Sequence, residues 1–146
     1  MTAPVTFEVL GTPTPQGSKT RMPNGAMLEG RSAGQRAMHR SWRTAVAEAA
    51  RDVAEGAPPL TGPLVLEVEF RCQMPKSRKA AVRAAGRGPK VSAPDLDKLV
   101  RSVGDALTEG GLIADDALFC DIFASKREVV GWTGAIITVR EWAVDA

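Results

Sequence analysis

Two cysteines, one histidine and no long apolar run set the first limits on this 146-residue chain. Cys72 and Cys120 lie in strand-like apolar stretches, where a buried thiol is the ordinary outcome, and they provide no disulfide framework. His39, between Met38 and Arg40, has no second His or Cys at ligand spacing, so a zinc centre is not indicated. No stretch is long enough to cross a bilayer. Met1–Ala3 leads into Pro4 and a short alternating segment, not into the apolar core of a signal peptide. These absences predict a cytoplasmic protein that does not engage a membrane. A glycine-rich phosphate loop is also missing, which disfavours nucleotide chemistry of the P-loop kind. Internal repeats and dividing linkers are absent as well. A single domain over 1–146 is therefore expected, long enough for one core without disulfide staples.

What the chain does have is ordinary in amount and uneven in distribution. Apolar residues make up 44%, charged residues 25%, and the formal net charge is +2, so bulk charge says little about partners. Between Arg71 and Lys90, however, there are seven Lys or Arg and no Asp or Glu. The segment 76–92 has no periodicity, and a flexible basic loop is expected there.

Val5 to Leu10 alternates and reads as a strand, closed by the Gly11–Lys19 stretch, whose glycines and prolines exclude regular structure. Thr20 to Gly34 reads as loop or irregular strand. From Gln35 to Ala54, Met38, Trp42, Ala45, Val46, Ala49 and Val53 recur at helical spacing. Pro63 to Met74 is a clear strand, with Leu64, Leu66, Val68, Phe70 and Cys72 on one face. A second helix is predicted over Asp95 to Glu109, with Asp97 able to cap it and Gly110-Gly111 ending it through positive φ. Strands over Ala117 to Ser125 and Gly134 to Trp142 complete an α+β fold with a mixed sheet and two main helices.

The chemistry-bearing residues are acidic. Phosphodiester hydrolysis needs an activated water and neutralised charge on phosphorus, which a hard divalent cation on two or three carboxylates supplies. Asp95 and Asp97, one residue apart, would face one side if extended, and Asp116 follows the second helix on a turn with Asp115. Asp97, Arg101 and Asp105 recur every four residues on one helix face, where Arg101 is placed to hold a carboxylate or touch a phosphate. Each element also has a plain alternative. The Asp-Leu-Asp can be an N-cap, Asp115-Asp116 a turn, and Arg101 with Asp105 a surface pair.

In combination, Asp95-Leu96-Asp97-Lys98-Leu99, Asp105-Ala106-Leu107-Thr108, Gly111, Asp115-Asp116 and Lys126 resemble the RusA family of Holliday-junction resolvases. The Gly11–Lys19 stretch is similar to the opening of phage and prophage members. The resemblance implies an intertwined homodimer that binds four-way or other branched DNA and nicks two strands symmetrically. It implies Mg²⁺ as cofactor, with Mn²⁺ substituting, held by Asp95, Asp97 and Asp116, in a bacterial or phage-infected cell. Two positions depart from the family pattern: Lys98 stands where Asn is common, and Arg101 where Lys is common.

Arg101 is the expected catalytic cation, with Asp105 and Asp115 in support. Lys19, Arg21, Lys76, Arg78, Lys79, Arg83, Lys98 and Lys126 are the expected DNA contacts, and Arg31, Arg36, Arg40 and Arg43 a second basic surface. Two other functions fit the same residues. One is a branched-DNA-binding protein of this fold without efficient cleavage; the other is a small interaction domain whose acidic turn is solvated.

Overall fold

The computed structural model describes residues 3–16, 19–21, 27–29 and 33–144. Five strands form the main sheet, in the order β1 (Val5–Leu10), β7 (Gly134–Glu141), β4 (Leu64–Gln73), β6 (Phe119–Val129), β5 (Arg87–Pro89). β4 runs parallel to β6 and antiparallel to β7, and the outer pairs β1–β7 and β5–β6 are antiparallel. The sheet is therefore mixed, as the element order predicts. β2 (Lys19–Arg21) and β3 (Met27–Glu29) form a small antiparallel pair of their own, where the sequence suggests only loop or irregular strand. Three residues per strand are too few to show alternation.

Two long helices, α1 (Ala33–Ala54) and α3 (Leu96–Glu109), cover one face of the sheet. α1 buries Trp42, Val46, Ala47 and Ala50; α3 buries Leu99, Val103, Ala106 and Leu107. These meet Leu64, Leu66, Val68 and Phe70 of β4, and Ile137 and Val139 of β7, in one core. On the opposite face β4 and β7 alternate to Glu67, Glu69, Ile136 and Thr138, which line an open groove with Phe123. Cys72 is buried as expected, but Cys120 is exposed; it is skipped where the β4–β6 register shifts between Leu64 and Val65.

The helix pair is fixed at its far end by glycine. Gly110 keeps an ordinary helical φ of −75°, so its value is not the conformational freedom the sequence suggests. A methyl there would run into the Ala47 carbonyl and the Ala50 side chain of α1. Gly111, at φ 79°, makes the reversal. Arg43 of α1 donates to Glu109 of α3 at 2.8 Å across the same end, so it ties helices together.

The segment 76–92 holds regular structure in place of the expected loop. α2 (Ala80–Ala85) ends at Gly86, φ 82°, and β5 then pairs with β6. No residue of α2 is buried, so it lacks the apolar stripe by which a helix is read from sequence.

Candidate active site

α3 and the elements at its two sides carry the predicted acidic residues. Asp95 stands just before the helix in extended conformation (φ −70°, ψ 136°), and Asp97 lies in its first turn. The pair thus straddles a helix boundary and does not share one extended segment. Asp97 is not the cap; Asp95 holds that position, yet its carboxylate makes no capping bond. Both side chains are exposed at the positive end of the helix dipole, where negative charge is favoured by some tenths of a kcal/mol. Lys98 puts its ammonium 3.9 Å from the Asp95 carboxylate.

Asp116 opens a single 3₁₀ turn, Asp116–Leu118. Asp115 caps that turn by accepting from the Ala117 amide at 2.9 Å. Asp116 leans on α3 at Gly104: a Cβ built there would stand 3.2 Å from the Asp116 Cβ. Partial desolvation, a hydrogen bond to Asp115, and the negative charges of Asp105 and Asp115 all hold the Asp116 carboxyl above the usual carboxylate range. The Ala117 amide and the bond to Asp116 hold Asp115 below it. The two neighbours are thus pushed in opposite directions, Asp116 upward and Asp115 downward.

The structure brings Asp116 together with Asp105 and Asp115, while Asp95 and Asp97 stand at the start of the helix. Gly104 lies seven residues after Asp97, about 10 Å of helical rise at roughly 1.5 Å per residue. Among the described residues, no three His, Cys, Asp or Glu converge closely enough to hold one ion. Arg101 is exposed between Asp97 and Asp105 and makes no ion pair with a described residue.

The basic residues divide. Arg78 forms two bonds to the buried Glu128, at 3.0 and 2.8 Å, and holds that carboxyl below its ordinary range. Arg83 donates to the Pro75 carbonyl at 2.9 Å, and Arg87 pairs with Glu69. Lys126 donates to the carbonyls of Ser92 and Pro94, both at 2.8 Å, so its ammonium faces main chain. Lys76 and Lys79 are exposed without such partners among the described residues. Lys19 and Arg21 fall on β2 and Arg36 and His39 on α1, with side chains outside the described set; Arg31 lies outside it altogether. Trp42 is core, and Leu112 and Ile113 are buried with it. Trp132 takes the Arg71 guanidinium over its ring at 4.2 Å.

Two residues of this region were not singled out in the sequence. Gly104, inside a helical pattern, carried a readable signal, since glycine there costs about 1 kcal/mol against alanine and implies a packing reason. Gln16 donates its backbone N–H to the Lys98 carbonyl at 3.2 Å and docks the first loop on the first turn of α3.

From Gly11 in that loop to Arg140 in β7, the sequence matches the family described as Endodeoxyribonuclease RusA, over residues 11–140. The chain belongs to the RusA family. No curated protein gives a match. The RusA match takes in the docked loop, the sheet beyond β1 up to Arg140 in β7, both long helices and the Asp115-Asp116 turn. In chemical type, though not in their spacing here, the donors suit the hard cation expected of a RusA nuclease: Asp95 and Asp97 offer exposed carboxylate oxygens, and the crowding that raises Asp116 is what a cation would relieve.

Proposed function

We propose that this chain is a structure-selective endodeoxyribonuclease that nicks four-way and related branched DNA symmetrically, as a homodimer, in recombination and repair. It acts as one domain over 1–146, in the cytoplasm of a bacterial or phage-infected cell. The observation that carries this reading is the family match across residues 11–140, which includes every carboxylate of the α3 region. Asp95, Asp97 and Asp116 would hold Mg²⁺, or Mn²⁺ in its place. The ion's chemistry is to lower the pKa of water and to offset charge on the phosphate. Arg101, exposed on the same helix face, reaches the scissile phosphate with a planar fork, and Asp105, one turn on, orients it. Asp115 caps the Asp116 turn. Lys76 and Lys79 contact phosphates along the DNA arms, together with Lys19, Arg21 and Lys98.

A synthetic four-way junction incubated with the wild-type chain tests this. Paired nicks in Mg²⁺ and none in chelator are expected; no nicking in either Mg²⁺ or Mn²⁺ would overturn it. The ammonium of Lys98 beside Asp95 favours the second reading, a junction-binding protein that cuts poorly, and tight binding without nicks would select it.

Lys98→Asn removes a cation from the Asp95 carboxylate. Exposed pairs of this kind are worth about 0.2–1 kcal/mol, so the Mg²⁺ midpoint for nicking should fall by a factor of roughly 1.4 to 5. An unchanged midpoint would show that Lys98 does not compete with the ion.

Gly104→Ala tests the seat of Asp116. Alanine favours the helix by about 1 kcal/mol, but its methyl, 3.2 Å from the Asp116 Cβ, makes that side chain give by a few tenths of an ångström. Thermal stability should hold or rise while nicking falls roughly tenfold. Equal loss of both would mean the glycine serves only packing.

A further inference from the structure

The main chain entering α3 makes almost no bonds of its own. Residues 91–94 contribute no backbone–backbone hydrogen bond with a described residue, and the side chains of Val91 and Ser92 stand exposed. What holds them comes from β6. The Lys126 ammonium donates to the Ser92 and Pro94 carbonyls, each at 2.8 Å. Its backbone is rigidly placed: Lys126 is paired with the fully buried Phe70 on β4, and its carbonyl accepts from the Lys90 amide at 3.3 Å. Lys90 adds a bond from its own ammonium to the Ser92 hydroxyl, at 3.1 Å. Pro94 is the residue before Asp95, and the Asp95 carbonyl accepts the Leu99 amide at 3.1 Å to open the helix.

We propose that Lys126 is a positioning residue, not a phosphate contact: clamped on two carbonyls ahead of α3, it sets the direction in which Asp95 and Asp97 leave the backbone. Two of its three protons are committed to main chain, and charge-assisted bonds are about twice as strong as neutral ones. A side chain so held does not swing to a passing phosphate. The inference rests on the nuclease reading for its consequence in catalysis, but not for the clamp itself.

The test is Lys126→Met, which keeps the aliphatic stem and removes the donors, beside Lys126→Gln, which retains an N–H able to reach one carbonyl. Three measurements separate the roles. Junction binding without metal, followed against salt, should keep the wild-type affinity and slope. A lost phosphate contact would lower that slope by about one. Amide exchange at Leu99 should speed up in Lys126→Met, while the core amide of Val103 stays protected. The Mg²⁺ midpoint for nicking should rise by about tenfold in Lys126→Met and less in Lys126→Gln, the size of effect seen when a group orienting a metal ligand is removed. A reduced salt slope, or Leu99 exchange and a Mg²⁺ midpoint both at wild-type values, would overturn the proposal. If Lys126→Met does not fold, the same comparisons in Lys126→Gln decide it. Should the wild type itself never nick, the nuclease reading falls, and Leu99 exchange still decides the clamp.

Discussion

Asp97→Asn and Asp116→Asn should each lower junction nicking by at least about a hundredfold, since loss of a group that merely orients a metal ligand already costs 10- to 100-fold. The two should differ in stability. Asp97 sits at the positive end of α3, so its loss removes a favourable dipole interaction of some tenths of a kcal/mol. Asp116 sits beside Asp105 and Asp115, and the fold raises its pKa. A carboxyl raised in the fold binds its proton more tightly folded than unfolded, so its share of stability is present at low pH and lost as pH rises through the raised value. At neutral pH the Asp116 carboxylate is thus a burden, and Asp116→Asn should hold or increase stability while abolishing activity. On the proposed reading, in which Asp116 holds the metal, metal and proton compete for this group. The acid limb of wild-type nicking should therefore lie above the range of an ordinary aspartate, and added Mg²⁺ should shift it downward. Full nicking by either variant would remove these aspartates from the site.

Gly134→Ala is expected to damage folding most. Gly134 has φ 144°, a conformation that costs an L-residue about 1–3 kcal/mol, and a methyl there would collide with the Val9 carbonyl of β1. Gly134 also pairs with Leu10 at the end of the β1–β7 ladder, so β1 must be displaced or the rung lost. Destabilisation of roughly 3 kcal/mol or more should appear as a fall in the urea midpoint. Gly88 is the control. It has no atom within 4 Å of a would-be Cβ and an ordinary φ, so Gly88→Ala should leave the midpoint nearly unchanged. A comparable fall for both would mean that neither steric account holds.

Much of the fold was legible because burial repeats along it. Leu64, Leu66, Val68 and Phe70 alternate, and Leu99, Val103, Ala106 and Leu107 recur at helical spacing, because one face of each element meets the core. α2 and the β2–β3 pair left no such trace: one buries nothing, the other is three residues to a strand. Charge was readable as composition but not as pairing. Arg78 and Glu128 are fifty residues apart, and the parallel β4–β6 ladder, which pairs Cys72 with Glu128, brings them near each other. The same holds for Lys126, whose partners are carbonyl oxygens that every residue has. The acidic positions were visible as a motif, but the cap falls on Asp95, two residues before the expected Asp97, which puts Asp97 in the first turn. Gly104 shows how much of a site can lie in a side chain that is absent.

The contact between Gly104 and Asp116 gives α3 a further property, that of a phase-keeping rod. Asp97 is fixed near one end of it, and Asp116 is seated beside its seventh following residue, almost two whole turns away. A single deletion between 97 and 104 would turn one end against the other by about 100° and shorten the rod by about 1.5 Å. Such a lesion would leave every carboxylate in place, and the apolar stripe could be restored by compensating changes, yet Asp97 would point elsewhere. An insertion of seven residues would restore the angle but lengthen the span by about 10 Å. The interval from Asp97 to Gly104 therefore tolerates exchange of residues far better than any change in their number.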